Sequence, residues 1–230
     1  MKGLNMLNGL SCSVFFAIVL LIPGVSVLAS NVDDVVRRVD DAYAKIQDLQ
    51  GEFTQETIIE GFETGFQSTG RFYLKKPGLL RWDYLQPSEE HIYVDGDAVM
   101  MYVPEHQQVV KGTLTQIAAS KGPLALLLGV GKLAEQFTVL EAADASGEQA
   151  ELPTVILVPK PDGETVPTIT KIVLQLFSDS YLIQTMTLFD VSGNISLVRF
   201  DHIQVNQGLD ANLLKFTLPP DVVVVDFPSF

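Results

Sequence analysis

The chain has 230 residues, of which 28 are Asp or Glu and 15 are Lys or Arg, so its formal net charge at pH 7 is −13. So acidic a composition argues against a nucleic-acid-binding protein and against binding anionic lipid headgroups through charge. The length predicts one domain or one large β-unit.

The first 29 residues have the features of a secretion signal. Lys2 supplies the positive start, residues 14–23 (VFFAIVLLIP) are apolar, and Val27 and Ala29 fit the −3 and −1 positions of a signal-peptidase site. The apolar run is shorter than the roughly 20 residues that a membrane-spanning helix needs. We therefore predict cleavage after Ala29 and an exported mature chain, residues 30–230, that forms a single domain.

Cys12 lies before this apolar run, without the usual lipobox, so it does not predict a lipid anchor. It is the only cysteine in the chain, and cleavage removes it. The mature chain is long enough to bury its own core and needs no disulfide.

A helix is predicted over residues 31–50, where apolar residues recur at three- and four-residue steps. Asn31 is its expected N-cap, and Asp33 and Asp34 suit its first turn. Gly51 is the expected stop. From Glu52 the apolar period becomes two, which is typical of strands.

Short strands follow in close succession, with tight hairpin turns predicted at residues 94–98 (VDGDA) and 190–195 (DVSGNI). Between the two series of strands, residues 113–137 lack the alternation and predict short helices broken by glycines. A single helical turn over DANLLKF and a last strand over DVVVVDF complete the chain. This order predicts an α+β fold with a strongly curved antiparallel sheet and grouped helices.

The residues give no sign of catalysis. The three histidines are not at metal-ligand spacing, and no G-x-S-x-G nucleophile motif is present. The GVGKLA stretch at 129–134 matches a dinucleotide-binding pattern but lacks the βαβ context that the pattern requires. We therefore predict that the protein is not an enzyme and needs no cofactor or metal.

Apolar surface is what the sequence offers instead. The strands around residues 72–84 and 91–103 carry large side chains on both faces, whereas a sheet with one solvated face alternates cleanly. The leucines of GPLALLLG (122–129) are too many for a short solvent-facing helix, so they are expected to cover an apolar surface. The flanking glycines suggest hinges.

These segments resemble the LolA family of periplasmic lipoprotein carriers. The matching pieces run in the family's order: GEFTQE (51–56), GRFYLKKPGLLRWDYLQPSEEHIYVDG (70–96), AVMMYVPEHQQV (98–109), GPLALLLG and KFTLPPDVVVVD (215–226). The stretch from Pro77 to Pro87, with its R-W-x-Y core, is the most specific of them.

The resemblance implies an incomplete antiparallel barrel of about eleven strands, with helices forming a lid over an apolar cavity. It implies a non-enzymatic carrier that takes the acyl chains of outer-membrane lipoproteins from an inner-membrane lipoprotein-releasing ABC transporter. An outer-membrane, LolB-like receptor then takes them over. We expect a monomer that binds no nucleic acid.

The site residues that the resemblance implies lie on the predicted strands and in GPLALLLG. The expected cavity lining is Phe72, Leu74, Leu80, Trp82, Tyr84, Ile92, Val94, Met100, Tyr102, Leu124, Leu127 and Leu128. The family usually has an arginine before Pro77 that latches the lid; this chain has Lys76, and Arg81 is the alternative latch. Ordinary core packing is the alternative role for Trp82, and an exposed strand cation is the alternative role for Arg81.

Two other functions remain open from the sequence. The same fold could carry a different lipid, since cargo identity is not written in these residues. It could also act as an envelope sensor or a protein-binding scaffold, in which case the cavity would be filled by side chains.

Overall fold

The structure is a computed structural model that describes residues 32–62, 64–117, 126–128, 133–142, 152–160 and 168–227. The predicted signal segment, residues 1–29, lies outside the described residues.

The first described element is helix α1, Val32–Ala44. Val35, Val39 and Tyr43 are its buried residues, as the three- and four-residue spacing predicts. The sequence-based prediction of its end was wrong, because the helix stops at Ala44 and not at Gly51.

Asp48 explains the early start of the first strand. Its buried carboxylate accepts hydrogen bonds from the backbone N–H groups of Gln207, Gly208 and Leu209, which ties residue 48 into the sheet. Gly51 lies inside that strand, where a Cβ atom would come within 2.8 Å of the Phe72 ring. The glycine thus serves close packing and not helix termination.

Twelve strands form one sheet in the described part of the chain. They are β1 Asp48–Ile58, β2 Phe66–Lys75, β3 Leu79–Gln86, β4 Glu90–Asp95, β5 Ala98–Val103, β6 Gln108–Thr113, β7 Phe137–Glu141, β8 Thr154–Pro159, β9 Ile169–Leu176, β10 Ile183–Asp190, β11 Ile195–Val205 and β12 Val223–Asp226. Their order is β12-β6-β5-β4-β3-β2-β1-β11-β10-β9-β8-β7.

The two edge strands of this sheet, β12 and β7, do not pair with each other, so the barrel is open. The predicted open antiparallel sheet is confirmed, with twelve strands where about eleven were expected. The exception to antiparallel pairing is β12, which lies parallel to β6. The predicted hairpins are present, with Gly96 and Gly193 in the left-handed region that their turns require.

Little regular helix accompanies the sheet in the described residues. Helices α2, Leu114–Ile117, and α3, Leu133–Gln136, are single turns, and residues 126–128 form another. Pro104–His106 and Ala211–Leu214 are 3₁₀ turns, the second of which the sequence predicted. The remaining parts of the predicted helical insertion, residues 118–125 and 129–132, lie outside the described residues.

The strand register divides the sheet into two faces. Residues directly opposite one another in a ladder share a face, so Phe53 on β1, Phe72 on β2 and Trp82 on β3 lie on the same side. We call this side, which carries the main hydrophobic core, the inner face. Tyr73, Arg81 and Tyr93 occupy the opposite, outer face.

Residues 206–222, here called the C-terminal crossover, connect β11 to β12 over the outer face. Lys75 Nζ donates to the carbonyl oxygen of Leu209 at 2.5 Å, and Arg81 Nη1 donates to that of Leu213 at 3.1 Å. The ring of Phe216 lies 5.3 Å from that of Tyr93. This segment covers large outer-face residues, so large side chains on both faces of these strands do not by themselves indicate a cavity.

Candidate functional site: the inner face and its cover

Trp82 stands at the centre of an aromatic cluster on the inner face. Its ring stacks on Phe53 with centroids 4.0 Å apart and meets Phe200 edge-on at 6.1 Å. Tyr84 packs edge-on against Phe53 at 5.2 Å, as does Phe72 against Phe200. Offset and edge-to-face contacts of this kind stabilise beyond the area that they bury.

Most of the predicted lining residues share this face. Seven are buried in the main core, namely Phe72, Leu74, Leu80, Trp82, Tyr84, Ile92 and Val94. Leu127 is buried in the same cluster, and Leu128 packs against it half-buried. Leu124 lies outside the described residues.

Met100 and Tyr102 correct the prediction, because both lie on the outer face. The two-residue turn after β4 pairs Val94 with Val99, so Val99 joins the inner face and Met100 does not. Tyr102 pairs with His91 and stacks against its ring. Met101 takes the inner position that the prediction gave to Met100.

The second half of the sheet supplies inner-face residues that the sequence analysis did not name. Leu174 on β9, Met186 on β10 and Val198 on β11 are fully buried and follow one another across the ladder. Leu157 on β8 and Ile172 on β9 continue the same apolar face. The alternation of these residues with polar neighbours could have identified them as inner-face residues. The family motifs that defined the predicted site lie mainly on β1–β5 instead.

The two candidate latch residues lie on different elements. Lys76 Nζ donates to the carbonyl oxygen of Tyr43 near the end of α1, at 2.6 Å. Arg81 lies on the outer face, between the rings of Tyr73 and Tyr93, and its Nε contacts Asp83 at 2.9 Å. Because side chains alternate along a strand, Arg81 points to the face away from Leu80 and Trp82. It therefore contacts the crossover and does not fit the role of lid latch.

α1 covers part of the inner face together with residues 126–128, the described part of GPLALLLG, here called the leucine segment. Val35, Val39 and Tyr43 join Leu126, Leu127 and Leu133 in the main core. The Tyr43 hydroxyl accepts a hydrogen bond from the Ile183 N–H at 3.2 Å, and burial raises the pKa of this tyrosine to about 12. Tyr43 is therefore neutral at physiological pH and fastens α1 to β10.

A cleft borders α1 on each side. One, of about 460 Å³, lies between the helix and the β9–β10 connection and is lined by Arg38, Lys45 and Tyr181 among others. The other, of about 450 Å³, separates α1 from the edge strand β7 at Phe137 and Val139. The helix is thus packed on its inward stripe while its flanks face open space.

Asp40 is an unfavourable group on this helix. Its Oδ1 atom is buried and lacks a hydrogen-bond partner among the described residues. Burial raises the pKa of Asp40, and the charges of Asp41 and Glu135 raise it further. The carboxylate therefore opposes the covered position of α1 at neutral pH.

Polar side chains cluster at one end of the inner face. The Tyr84 hydroxyl donates to Gln55 Oε1 at 2.8 Å, and Gln55 Nε2 donates to Ser196 Oγ at 3.0 Å and to Thr57 Oγ1 at 3.3 Å. Glu90 lies opposite Tyr84 in the β3–β4 ladder. Burial, together with the charge of Glu90, raises the pKa of Tyr84.

In the described part of the chain, no group of three or more His, Cys, Asp or Glu side chains is arranged to hold a metal ion. Within the same residues, no helix is long and apolar enough to cross a membrane.

Comparison with known proteins decides the family. Residues 44–217 match the family model described as outer membrane lipoprotein carrier protein LolA. The chain belongs to the LolA family. This membership agrees with the prediction of a carrier and not an enzyme.

Relatives in the family are similar along most of their length. The outer-membrane lipoprotein carrier protein of Dechloromonas aromatica is 30% identical over 190 residues, 83% of this chain and 86% of that protein. The protein of the same name from Bordetella avium is 31% identical over 182 residues, 79% of this chain and 82% of its own length. The match to the LolA family therefore extends well beyond the short motifs.

Solved structures support the fold alone. An uncharacterized conserved protein from Thermus thermophilus superposes with a TM-score of 0.52 at 13% identity, covering 84% of this chain and 98% of its own. A DUF1329 family protein from Desulfovibrio piger gives 0.51, also at 13% identity, with 80% and 95% covered.

Proposed function

We propose that the protein carries lipoproteins by holding their acyl chains against the inner face of the open barrel. The observation that supports this most is the continuous apolar face across β1–β5 and β8–β11, covered by α1 and the leucine segment instead of by a second sheet. A cover made of separate short helices can move without breaking the sheet. Membership of the LolA family suggests lipoproteins as the class of cargo.

Cargo enters when the cover moves. Leu80, Trp82 and Ile92 have no solvent exposure, so acyl chains can reach them only after α1 and the leucine segment shift. Lys76 and Tyr43 are the fastenings of α1 to the sheet, and Asp40 opposes them. In this proposal the covered state is held by a few polar contacts, whose loss exposes the apolar face.

The energetics favour a carrier that binds moderately and is loaded by another protein. Three acyl chains bury on the order of 45 methylene groups, worth roughly 0.8 kcal/mol each, or about 35 kcal/mol in total. Non-covalent binding saturates near about 20 kcal/mol. Binding alone therefore cannot extract such a cargo from a bilayer, and work must be done at the donor membrane.

The remaining parts of the proposal are the route and the location. We propose a periplasmic mature domain, residues 30–230, released by signal cleavage after Ala29. It would receive lipoproteins from the inner-membrane releasing ABC transporter and deliver them to a LolB-like receptor at the outer membrane. Acylated lipoproteins are the cargo.

Native mass spectrometry of the mature protein purified from the periplasm tests the proposal. The expected result is a co-purified species whose mass and extracted lipid identify a triacylated lipoprotein. A protein that carries a different lipid would contradict the cargo. A protein that is empty and also takes up no acylated peptide would contradict the carrier function.

A further inference from the structure

Resting on the proposed function, we infer that the polar end of the inner face selects neutral acyl-glyceryl headgroups and rejects anionic lipids. An apolar face binds any acyl chain of suitable length, because the hydrophobic effect is not directional. A carrier that works beside membranes therefore needs a second feature to avoid loading phospholipid. Gln55, Tyr84, Ser196 and Glu90 provide such a feature.

Positive charge on the strands lies away from the inner face. Six lysines and arginines lie on the described strands, and the register places every one of them on the outer face: Arg71, Lys75, Arg81, Lys111, Lys171 and Arg199. Phosphate and carboxylate groups are bound in proteins chiefly by such cations. Along these strands, the inner face offers them none.

The inner face of β1–β5 carries a negative charge at the polar end. Among the residues of β1–β5, Glu90 is the only charged residue that the register places on the inner face. It is half-buried and lies opposite the buried Tyr84. A carboxylate in this position repels a phosphodiester or a fatty-acid carboxylate that enters the same end of the barrel.

The polar end of the inner face supplies neutral hydrogen-bonding groups. Gln55, Tyr84, Thr57 and Ser196 bring an amide and three hydroxyls together, linked by hydrogen bonds of 2.8–3.3 Å. Such groups can exchange these bonds for bonds to uncharged ester and amide carbonyl oxygens. An acylated glyceryl-cysteine carries carbonyls of this kind and no charge at its acylated end, so its chemistry fits the cluster.

The position of the cluster fits this role as well. The cluster lies where β1 ends and β2 begins. Solvent exposure of the inner-face side chains rises toward this end, from the buried Phe53 through half-buried Gln55 on β1 to exposed Phe66 at the start of β2. The aromatic cluster around Trp82 comes next on the interior side. Acyl chains packed against Trp82 would therefore leave their headgroup at Gln55 and Tyr84.

A competition experiment tests the inference. The mature protein is offered equal amounts of tripalmitoyl-glyceryl-cysteine amide and phosphatidylglycerol in mixed detergent micelles, and native mass spectrometry measures which lipid it holds. The wild type is expected to favour the lipopeptide by about tenfold or more, a difference of the size that like-charge repulsion produces. Glu90→Lys is expected to remove most of that preference, and Glu90→Gln to weaken it.

Glu56→Lys is the matched control, because Glu56 lies on the outer face of the same end of β1 and the substitution changes the charge equally. It is expected to leave the preference unchanged. Tyr84→Phe tests the neutral groups and is expected to lower lipopeptide uptake several-fold without raising phosphatidylglycerol uptake.

Equal uptake of both lipids by the wild type would overturn the inference and leave the carrier function intact. So would an unchanged preference in both folded Glu90 variants. Uptake of neither lipid by the wild type would overturn the proposed function and this inference with it.

Discussion

The two faces of strands β2, β3 and β4 are covered in different ways. On the inner face, Leu80, Trp82 and Ile92 are covered by separate helical pieces that pack through side chains. On the outer face, Tyr73, Arg81 and Tyr93 are covered by the C-terminal crossover, which is also held by hydrogen bonds from Lys75 and Arg81 to its backbone. The inner cover has hydrogen bonds of its own, through Lys76 and Tyr43. The outer cover is in addition tied, through Arg81, to the buried carboxylate of Asp83.

Of the two covers, the inner one can be exchanged for cargo. Apolar contacts to a lid can be replaced by apolar contacts to an acyl chain at little cost, because both bury the same surface. The buried carboxylate of Asp83, which binds both Arg81 and His91 on the outer face, has no such substitute. We therefore assign opening to the inner cover and rigidity to the outer one.

The largest expected effect of a single change is on the inner face. Trp82→Ala removes the centre of the aromatic cluster and should lower the free energy of unfolding by about 3–5 kcal/mol. Tyr93→Ala, on the outer face beside the crossover, should cost only about 1 kcal/mol. Urea unfolding of both variants measures the contrast, and equal losses would refute the asymmetry between the faces.

Asp83→Ala should have the next largest effect on the free energy of unfolding. It leaves the partly buried Arg81 without its carboxylate partner and should cost about 2–3 kcal/mol. Limited proteolysis should then cleave within the crossover, residues 206–222, faster than in the wild type. Asp95→Ala, an exposed position on the same face, serves as the control. A crossover as resistant as before would show that this ion cluster does not anchor it.

Lys75 and Lys76 offer a comparison between adjacent residues. Lys76→Met removes the donor to the Tyr43 carbonyl on α1, whereas Lys75→Met removes the donor to the Leu209 carbonyl in the crossover. Each should cost about 1 kcal/mol. Hydrogen exchange should speed up in α1 for the first variant and near residues 209–214 for the second. Faster acyl uptake is expected for Lys76→Met only, and the same exchange pattern in both would contradict separate fastenings.

Asp40→Asn should have the smallest effect. The pKa of Asp40 is raised above its unfolded value, so the cost to stability accumulates as pH rises from the ordinary aspartate pKa of 3.8 through the folded pKa. The asparagine should stabilise the protein at pH 7 by at most about 0.5 kcal/mol, and the gain should vanish near pH 3. Thermal unfolding at both pH values measures it. A gain of the same size at both would rule out the charge as its cause.

Much of the fold could be predicted from local patterns. Period-two alternation and glycine turns located the hairpins at Gly96 and Gly193, and the family motifs predicted the open barrel. The end of α1 was missed because Asp48 enters the sheet through backbone groups of residues 207–209, which no local pattern reveals. The parallel pairing of β12 with β6 was missed because it depends on the path of the crossover.

The face that each side chain occupies was predicted correctly where alternation was clear and wrongly where it was not. On β3, Leu80, Trp82 and Tyr84 follow one another at period two and were correctly grouped. On β5, four successive residues from Val99 to Tyr102 are all apolar, so the phase could not be read and Met100 and Tyr102 were assigned to the wrong face. Strands of the first half of the sheet also have large apolar residues on the outer face, because the crossover covers that face. This contact joins residues distant in sequence, so no local pattern predicts it.

Trp82, the only tryptophan in the chain, can report by its fluorescence whether acyl chains reach the inner face. The mature protein is loaded with a triacylated lipopeptide whose chains carry bromine atoms, which quench tryptophan fluorescence on close contact, and with the unbrominated lipopeptide as control. If acyl chains replace the inner cover, the brominated cargo alone should quench Trp82 strongly. Bound brominated cargo that leaves the fluorescence of Trp82 unchanged would show that the chains lie elsewhere.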